Sequence, residues 1–383
     1  MPPDYSGGAA RAMLLLRTLC GLIARSDVAP PEAADRPALL DLARAHRVER
    51  IAARAIRGRG DQIDTWFGHH PEALFDERSC AVLDMARFCE LRTVLDRLAH
   101  TPGISPVVFK GAALAHSHYP DPWLRPRLDT DVLISPQHVA PALAVFEALG
   151  YERAVGTSGA LVSSQMAVSR VDAFGIDHTF DLHWRIANPQ VIASVLTHEG
   201  VARRAVQLPS AGPHARAASD VDALLIACLH RAAHHRDCEE LLWIYDIHLI
   251  AERLSPDNWA SFAAAASEGR VRGLCRRGLA LAVDRFASQV PDGILQALEV
   301  ERGECEPSSV YLSKTLRLVE ILKSDLKVLP ARERLRLLRE HLFPPATYIR
   351  QRYRVTSTTA VACCYVRRIV GGFPKWLAAR SDS

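Results

Sequence analysis

Residues 109–135 read FKGAALAHSHYPDPWLRPRLDTDVLIS, and this stretch decides the fold. A short apolar run, residues 106–109, leads into a Lys-Gly turn and then into a helical segment at 112–118. After an irregular, Pro-rich segment, the sequence DTDVLI at 129–134 predicts a buried strand with carboxylates at its entrance. Strands and helices that alternate in this way indicate an α/β or α+β core.

The carboxylates at this entrance form a pair. Asp129 and Asp131 lie two residues apart, so on a strand both side chains face one side and Thr130 faces the other. Two carboxylates held this close repel one another, which raises one pKa unless a cation lies between them. Oxygen ligands of this kind suit Mg²⁺, with Mn²⁺ as the alternative. Taken alone, the pattern also arises in loops whose aspartates are solvated or cap a helix.

A third carboxylate follows the pair. Asp181 lies in the alternating segment HTFDLHW at 178–184, on the side opposite its apolar neighbours. If this strand lies beside the first one, Asp181 completes the metal site. It can also serve as general base for an acceptor hydroxyl.

Positive charge and backbone amides precede the pair. Lys110, Gly111 and Ala112 form a turn between a strand and a helix, where backbone N–H groups can hold phosphate oxygens. The Lys110 ammonium adds a charge, and the Arg125 guanidinium can bind the same phosphates as a fork. For Arg125, and more so for Arg127, an ion pair with an aspartate or a helix end is the alternative. The turn therefore predicts a binding site for the phosphates of a nucleotide.

The rest of the chain limits the class of protein. Its 383 residues, 49% hydrophobic and 23% charged with a formal net charge of +4, are typical of a globular protein of two or three domains. The mild positive charge permits an anionic substrate without requiring nucleic acid. No apolar run approaches the length of a transmembrane segment, about 20 residues. The cysteines form no CxxC pair, which favours reduced thiols in a cytoplasmic protein.

Helical periodicity surrounds the central core on both sides. We therefore expect an α+β fold in three parts: an N-terminal helical domain at 1–100, a small mixed-sheet α/β core at 101–208, and a C-terminal helical region at 219–383. A ligand would lie in the cleft between the core and the helices, which is a common place for binding sites.

Two groups in the C-terminal region have alternative interpretations. His230 and His234 are four apart on a predicted helix, the spacing of a zinc site, but Arg231 stands where that motif has glutamate. Packing at the interface is therefore the stronger interpretation for these histidines. Asp246 is either a base or substrate contact, or half of an ion pair between helices.

The last forty residues are basic and carry aromatic side chains. They can contact RNA, anionic lipid or an acidic partner, although a solvated helix face is the simpler interpretation. The residues concerned are Arg350, Arg352, Tyr353, Arg354, Tyr365, Arg367, Arg368, Lys375 and Trp376.

The order of these motifs resembles the DNA polymerase β-like nucleotidyltransferase superfamily, in which a strand, a Gly turn, a helix, a DxD strand and a later strand aspartate follow one another. Residues 109–135 look like a family of uncharacterised bacterial nucleotidyltransferases with a KGxAL helix, a YP, an RP and a DIDLL strand in that order. The similarity extends over roughly residues 35–375 through LLDLARAHRVERIAARAI, FDLHWRI, CLHRAAHH, LLWIYDIHLI and LFPPATYIRQRY.

The resemblance implies a nucleotidyltransferase core that uses a metal to move a nucleoside monophosphate from a nucleoside triphosphate such as ATP to an acceptor, with release of pyrophosphate. It implies that Gly111 lies in the phosphate turn, that Asp129 and Asp131 bind the metal, and that Asp181 is the third carboxylate. Ala112 departs from the Ser or Gly that usually follows the turn glycine, so a serine contact to phosphate is absent.

The acceptor and the activity stay open at this point. The acceptor is a small molecule such as an antibiotic, a peptide, a protein side chain or a tRNA end. The alternative function is a non-catalytic member that binds a nucleotide or a partner, which would show binding without pyrophosphate release. A third hypothesis is a toxin-like enzyme that adds nucleotides to tRNA. Its expression would arrest growth, and Asp129→Ala would reverse the arrest.

Overall fold

The computed structural model describes residues 6–69, 76–154, 161–301, 303–313 and 315–377. Side chains are described within these ranges from residue 9 to residue 371. The side chains of Lys375 and Trp376, two of the basic and aromatic residues named above, therefore lie outside the described ones.

In the described part of the chain, five helices precede the sheet. They are α1 (Ser6–Ile23), α2 (Arg36–Ala45), α3 (Glu49–Gly58), α4 (Ile63–Phe67) and α5 (Glu77–Ala99).

The strands and the helices between them follow. They are β1 (Val107–Phe109), α6 (Lys110–Ser117), β2 (Thr130–Leu133), α7 (Val139–Ala148), β3 (Glu152–Arg153), β4 (Gln165–Val171), β5 (Asp177–His183), α8 (Gln190–Ala193), α9 (His198–Arg204), β6 (Val206–Gln207) and β7 (Arg216–Ala217). The short strand β7 lies within residues 208–219, which carry no strand signal in the sequence.

The chain continues as helices. They are α10 (Asp220–His235), α11 (Leu241–Ala251), α12 (Pro256–Glu268), α13 (Arg272–Phe286), α14 (Asp292–Ala297), α15 (Leu318–Val328), α16 (Ala331–Leu342), α17 (Ala346–Tyr353) and α18 (Thr358–Leu377). None of the helices in the described ranges is long and apolar enough to cross a membrane.

The seven described strands form one sheet in the order β3-β4-β5-β2-β1-β7-β6. β2 is parallel to β5, and β1 is parallel to β7, while the other neighbours are antiparallel. The predicted α+β class is confirmed: a mixed sheet lies in the middle of the chain, and helices flank it at both ends.

The two faces of the sheet contribute to two different cores, because side chains alternate along each strand. Phe109 and Leu133 belong to a large core shared by α1–α4 and α10–α13. Val132, Phe180 and Leu182 belong to a second core with α5 and α7. Helices α1–α4 and α10–α13 therefore pack together on one side of the sheet, and the odd-numbered residues of β2 and β5 face that helical layer.

Helix α10 lies against this face and begins at a defined place. The Ser219 hydroxyl accepts a hydrogen bond from the Asp222 backbone N–H at 3.3 Å, which caps the first turn. At the other end, Arg236 adopts a left-handed conformation with φ of 52° and stops the helix. These two ends fix the register in which α10 presents its side chains to the sheet.

Helices α10, α11 and α13 approach one another closely at Gly278. A Cβ atom at this position would lie 2.8 Å from Sγ of Cys228 on α10 and 3.2 Å from Cδ1 of Ile247 on α11. Both neighbours are fully buried, so neither can move aside without disturbing the core.

We expect Gly278→Val to lower the free energy of unfolding by about 1–3 kcal/mol, because the added methyl groups overpack the contact between three helices. Thermal unfolding of the full chain measures the change. Gly293→Ala is the matched control, since no atom lies within 4 Å of the new Cβ in helix α14. Equal unfolding temperatures for the two variants would contradict the close packing.

Candidate active site

Strand pairing places the predicted carboxylates side by side. Asp131 on β2 lies opposite Asp181 on the parallel strand β5 and opposite Phe109 on the antiparallel strand β1. Asp129 immediately precedes β2 and is exposed at the entrance of the strand. Asp131 and Asp181 both face the helical layer that contains α10 and α11, so the carboxylates lie between the sheet and these helices.

Asp131 is the most deeply buried of the three carboxylates, at 5% exposure. Its Oδ1 accepts a hydrogen bond from Nζ of Lys110 at 2.8 Å and lies 2.8 Å from Nε2 of His183. Burial alone raises the pKa of a carboxyl, but Lys110 and His183 outweigh it and hold the pKa of Asp131 well below its usual range. Burial lowers the pKa of His183 to about 4, so at neutral pH Asp131 is an anion paired with one cation, Lys110, and hydrogen-bonded to a neutral imidazole.

Asp181 and Asp129 lack this balance. Burial, followed by the charges of Asp131 and Asp129, raises the pKa of Asp181 to about 6. Its Oδ2 accepts a hydrogen bond from Nε2 of Gln165 at 2.9 Å, which orients the carboxylate without adding a charge. Desolvation and the charge of Asp131 likewise raise the pKa of Asp129. The site thus holds more negative charge than its own residues compensate.

At the start of α6 the backbone passes close to the side chain of Arg125. Lys110 adopts a left-handed conformation with φ of 53°. A Cβ atom at Gly111 would lie 2.5 Å from Nη1 of Arg125, so only glycine fits beside this guanidinium. The side chain of Ala112 lies in the core behind the sheet, which leaves only its backbone N–H toward the start of the helix.

The two arginines before β2 are both in ion pairs. Arg125 forms a bidentate pair with Asp246 of α11 at 2.9 and 2.7 Å, and the Tyr119 hydroxyl donates to the same carboxylate at 2.8 Å. Arg127 lies 2.5 Å from Asp84 of α5. Asp246 is thus the partner of Arg125, and this buried pair joins the segment before β2 to the helical layer.

A cleft of about 360 Å³ opens above the carboxylates. The sheet side contributes the Lys110 turn, Asp129, Asp131, Gln165 and Asp181 to its lining, and α10 and α11 contribute His230, His234, His235 and Trp243. The predicted residues Lys110, Gly111, Arg125, Asp129, Asp131 and Asp181 all line this one cleft. Its volume is in the range that holds small organic ligands.

The histidines of α10 form an uncharged wall of this cleft. Burial lowers the pKa of His234 to about 3 and that of His235 to about 4, and it lowers the pKa of His230 well below its usual value. Nε2 of His235 lies 3.0 Å from Nε2 of His230, and its ring stacks on Trp243 at 3.7 Å between centroids. At neutral pH the wall therefore offers neutral imidazoles and an aromatic surface.

The zinc interpretation of these histidines finds no support in the described residues. Among them, two groups bring three potential donor atoms within 4.8 Å of one another, and neither contains a histidine of α10. One group, Asp96, His100 and His214, is exposed at the surface, and the other, Asp131, Asp181 and His183, lies on the paired strands β2 and β5.

Sequence patterns did not predict two residues that contact the carboxylates. His183 contacts Asp131, and Gln165 contacts Asp181. The signal for His183 was present, since the alternation that places Asp181 on the cleft side places His183, two residues later, on the same side. Gln165 lies on β4 opposite His183, a pairing that the local sequence does not encode.

The raised pKa of Asp181 predicts a stability effect with a defined sign. The folded chain holds the pKa at about 6, above the ordinary 3.8, so the ionised carboxylate destabilises the fold once the pH exceeds both values. We expect Asp181→Asn to raise the free energy of unfolding at pH 8 by about 1–2 kcal/mol after allowance for solvent screening, and to have little effect below pH 4.

Thermal unfolding in metal-free buffer across this pH range measures the effect. Asp172→Asn provides a control of opposite sign, because a hydrogen bond from His178 lowers the pKa of Asp172. An Asp181→Asn variant that is less stable than the wild type at pH 8 would contradict the assigned electrostatics.

The Arg125–Asp246 pair gives a second prediction. Asp246→Asn leaves a buried guanidinium without its counter-ion, so we expect the free energy of unfolding to fall by about 3–5 kcal/mol. Asp41→Asn removes an exposed partner of Arg44, 3.5 Å away, and should cost no more than about 0.5 kcal/mol. Chemical denaturation compares the two variants, and a similar loss in both would refute the role of the buried pair.

The order of the strands and the cluster of carboxylates can be compared with known proteins. A search of curated proteins finds no match to this chain. The sequence profile of a family described as uncharacterised nucleotidyltransferase matches residues 32–287, a segment that includes the whole described sheet and α10–α13. The chain therefore belongs to this uncharacterised nucleotidyltransferase family, which supports a general role in nucleotidyl transfer.

Proposed function

We propose that the chain transfers a nucleoside monophosphate from a nucleoside triphosphate to an acceptor, in a reaction that depends on a divalent metal. An acceptor oxygen forms a bond to the α-phosphorus, the bond from that phosphorus to the bridging oxygen breaks, and pyrophosphate leaves with the bond electrons. The observation that carries the proposal is the register of β2 and β5, which holds Asp131 next to Asp181 at the floor of the cleft.

The donor set supports a cation at this floor. Desolvation, and after it the charges of the neighbouring carboxylates, raises the pKa values of Asp129 and Asp181, and a divalent cation would relieve the repulsion between them. Carboxylate oxygens of Asp129, Asp131 and Asp181 would hold it. When bound, such a metal lowers the pKa of an attacking hydroxyl and stabilises charge on the phosphates and the leaving pyrophosphate.

The start of α6 supports binding of the phosphates. The first N–H groups of a helix have no partner within the helix, and no side chain caps those at the start of α6, among them those of Gly111 and Ala112. Arg125 contributes less than the sequence suggests, since Asp246 already occupies its Nε and Nη2. Its Nη1, the atom nearest Gly111, is the part of the guanidinium that can reach a phosphate oxygen.

The proton of the acceptor requires a base near neutral pH. Asp181, with a pKa of about 6, combines an ionised state at pH 7 with useful basicity, whereas Asp131 is too weak a base. The acceptor itself would lie against the wall of His230, His234 and Trp243, whose neutral rings can bind hydroxyl groups and planar surfaces.

Asp131→Asn tests the proposal. We expect pyrophosphate release to fall by about a hundredfold or more, because the amide cannot balance a cation as a carboxylate does. The assay supplies Mg²⁺ or Mn²⁺, each nucleoside triphosphate and a panel of hydroxyl-bearing small molecules, peptides and tRNA. Asp177→Asn is the control, since this aspartate is exposed on the same strand β5 and lies outside the cleft.

Circular dichroism must show that the Asp131→Asn variant keeps its fold. Full pyrophosphate release from this folded variant would reject the proposal. Nucleotide binding by the wild type without any release across the whole panel would instead favour a member of the family that binds without turnover.

A further inference from the structure

His183 contacts the carboxylate of Asp131 at the cleft, and the proposed reaction leaves it without a role. Its side chain is fully buried, and its ring packs edge-on against Phe109 with 5.0 Å between centroids. Its backbone carbonyl accepts a hydrogen bond from the Ile134 N–H at 2.9 Å, so the backbone of His183 is fixed as well. The imidazole is therefore held in one orientation.

That orientation aims Nε2 between two carboxylates. Nε2 lies 2.8 Å from Oδ1 of Asp131 and 3.9 Å from Oδ2 of Asp181, and the three donor atoms all lie within 4.8 Å of one another. Two donors at right angles around a metal, each about 2.1 Å from it, are about 3 Å apart. The separation between His183 and Asp131 is thus already close to that of neighbouring ligands on one ion.

We propose that His183 is a metal ligand, and that Nε2 with the carboxylates of Asp131 and Asp181 forms a mixed nitrogen and oxygen site for a divalent transition metal such as Mn²⁺ in preference to Mg²⁺. The inference rests on the proposed function only in taking Asp131 and Asp181 as ligands. Mg²⁺ strongly favours oxygen donors, whereas an imidazole nitrogen strengthens the binding of divalent transition metals, of which Mn²⁺ is the weakest binder and Zn²⁺ a stronger one.

The competing role for His183 is a hydrogen bond to Asp131 and nothing more. In that role Nε2 keeps its proton, and a cation bound to the carboxylates would have only oxygen neighbours from the protein. As a ligand, Nε2 must present its lone pair, so the proton moves to Nδ1 or leaves the ring. The two roles differ in whether histidine nitrogen is bonded to the bound metal, which spectroscopy detects without any catalytic assay.

Mn²⁺ binding to the full chain gives the first readout. We expect the wild type to bind Mn²⁺ at least about tenfold more tightly than Mg²⁺, measured by electron paramagnetic resonance of free Mn²⁺ and by competition with Mg²⁺. His183→Gln should weaken Mn²⁺ binding about tenfold or more and Mg²⁺ binding less than about threefold.

His178→Gln is the matched control, because His178 is also buried on β5 but bonds Asp172 at 3.0 Å, at the other end of the strand. It should leave the affinities for both ions unchanged. Equal Mn²⁺ affinity in the wild type and in folded His183→Gln would overturn the proposal.

Pulsed electron paramagnetic resonance of the wild type gives a second readout that does not depend on a variant. Bound Mn²⁺ should show coupling to a ¹⁴N nucleus, and this coupling should change to that of ¹⁵N when only the histidines carry ¹⁵N. A spectrum without histidine coupling would overturn the proposal even if His183→Gln fails to fold.

These outcomes are separable from those of the proposed function. Histidine coupling to Mn²⁺ that is lost in folded His183→Gln, together with no pyrophosphate release, would keep His183 as a ligand and reject transfer. Pyrophosphate release by a protein whose bound Mn²⁺ shows no histidine coupling would keep transfer and reject the ligand.

Discussion

A single buried carboxylate, that of Asp131, sets the requirements for the rest of the site. An anion at 5% exposure is costly unless it is paired, and Lys110 and His183 meet that requirement through the same oxygen. Lys110 comes from the turn after β1, and His183 comes from the end of β5. Because β2 lies between β5 and β1 in the sheet, both partners reach Asp131 from the neighbouring strands. The topology of the fold therefore determines how this buried carboxylate is stabilised.

The second buried pair determines where the helical layer lies over the sheet. Arg125 precedes β2 and Asp246 belongs to α11, so their bidentate contact holds the two sides of the cleft at one distance. Gly111 makes the contact possible, since any side chain there would collide with the guanidinium. The proposed phosphate turn and the contact between Arg125 and α11 thus share a residue, and a substitution that disturbs one of them would disturb the other.

The sequence predicts which way the strand carboxylates face, but it does not predict which residues contact the site from other elements. The reason is physical. Alternation along a strand is a local property, so the common face of Asp129 and Asp131, and the inward face of Asp181, follow from spacing alone. The pairing of Arg125 with Asp246 joins residues 121 positions apart, and only the packed chain decides it. The position of α10, and with it the neutral histidine wall, likewise depends on the core that α1–α4 share with α10–α13.

Charge balance also explains how one site can serve two states. Without a metal, the Lys110 ammonium neutralises Asp131 and the neutral His183 imidazole adds a hydrogen bond, so the chain can fold around a buried carboxylate. A divalent cation at the same carboxylates would add two positive charges and so weaken the attraction between Asp131 and the Lys110 ammonium. Lys110 could then bind a phosphate at the start of α6. Lys110 would thus couple the binding of the metal to the binding of the phosphates. The phosphates could bind the Lys110 ammonium only after a metal had replaced it at Asp131.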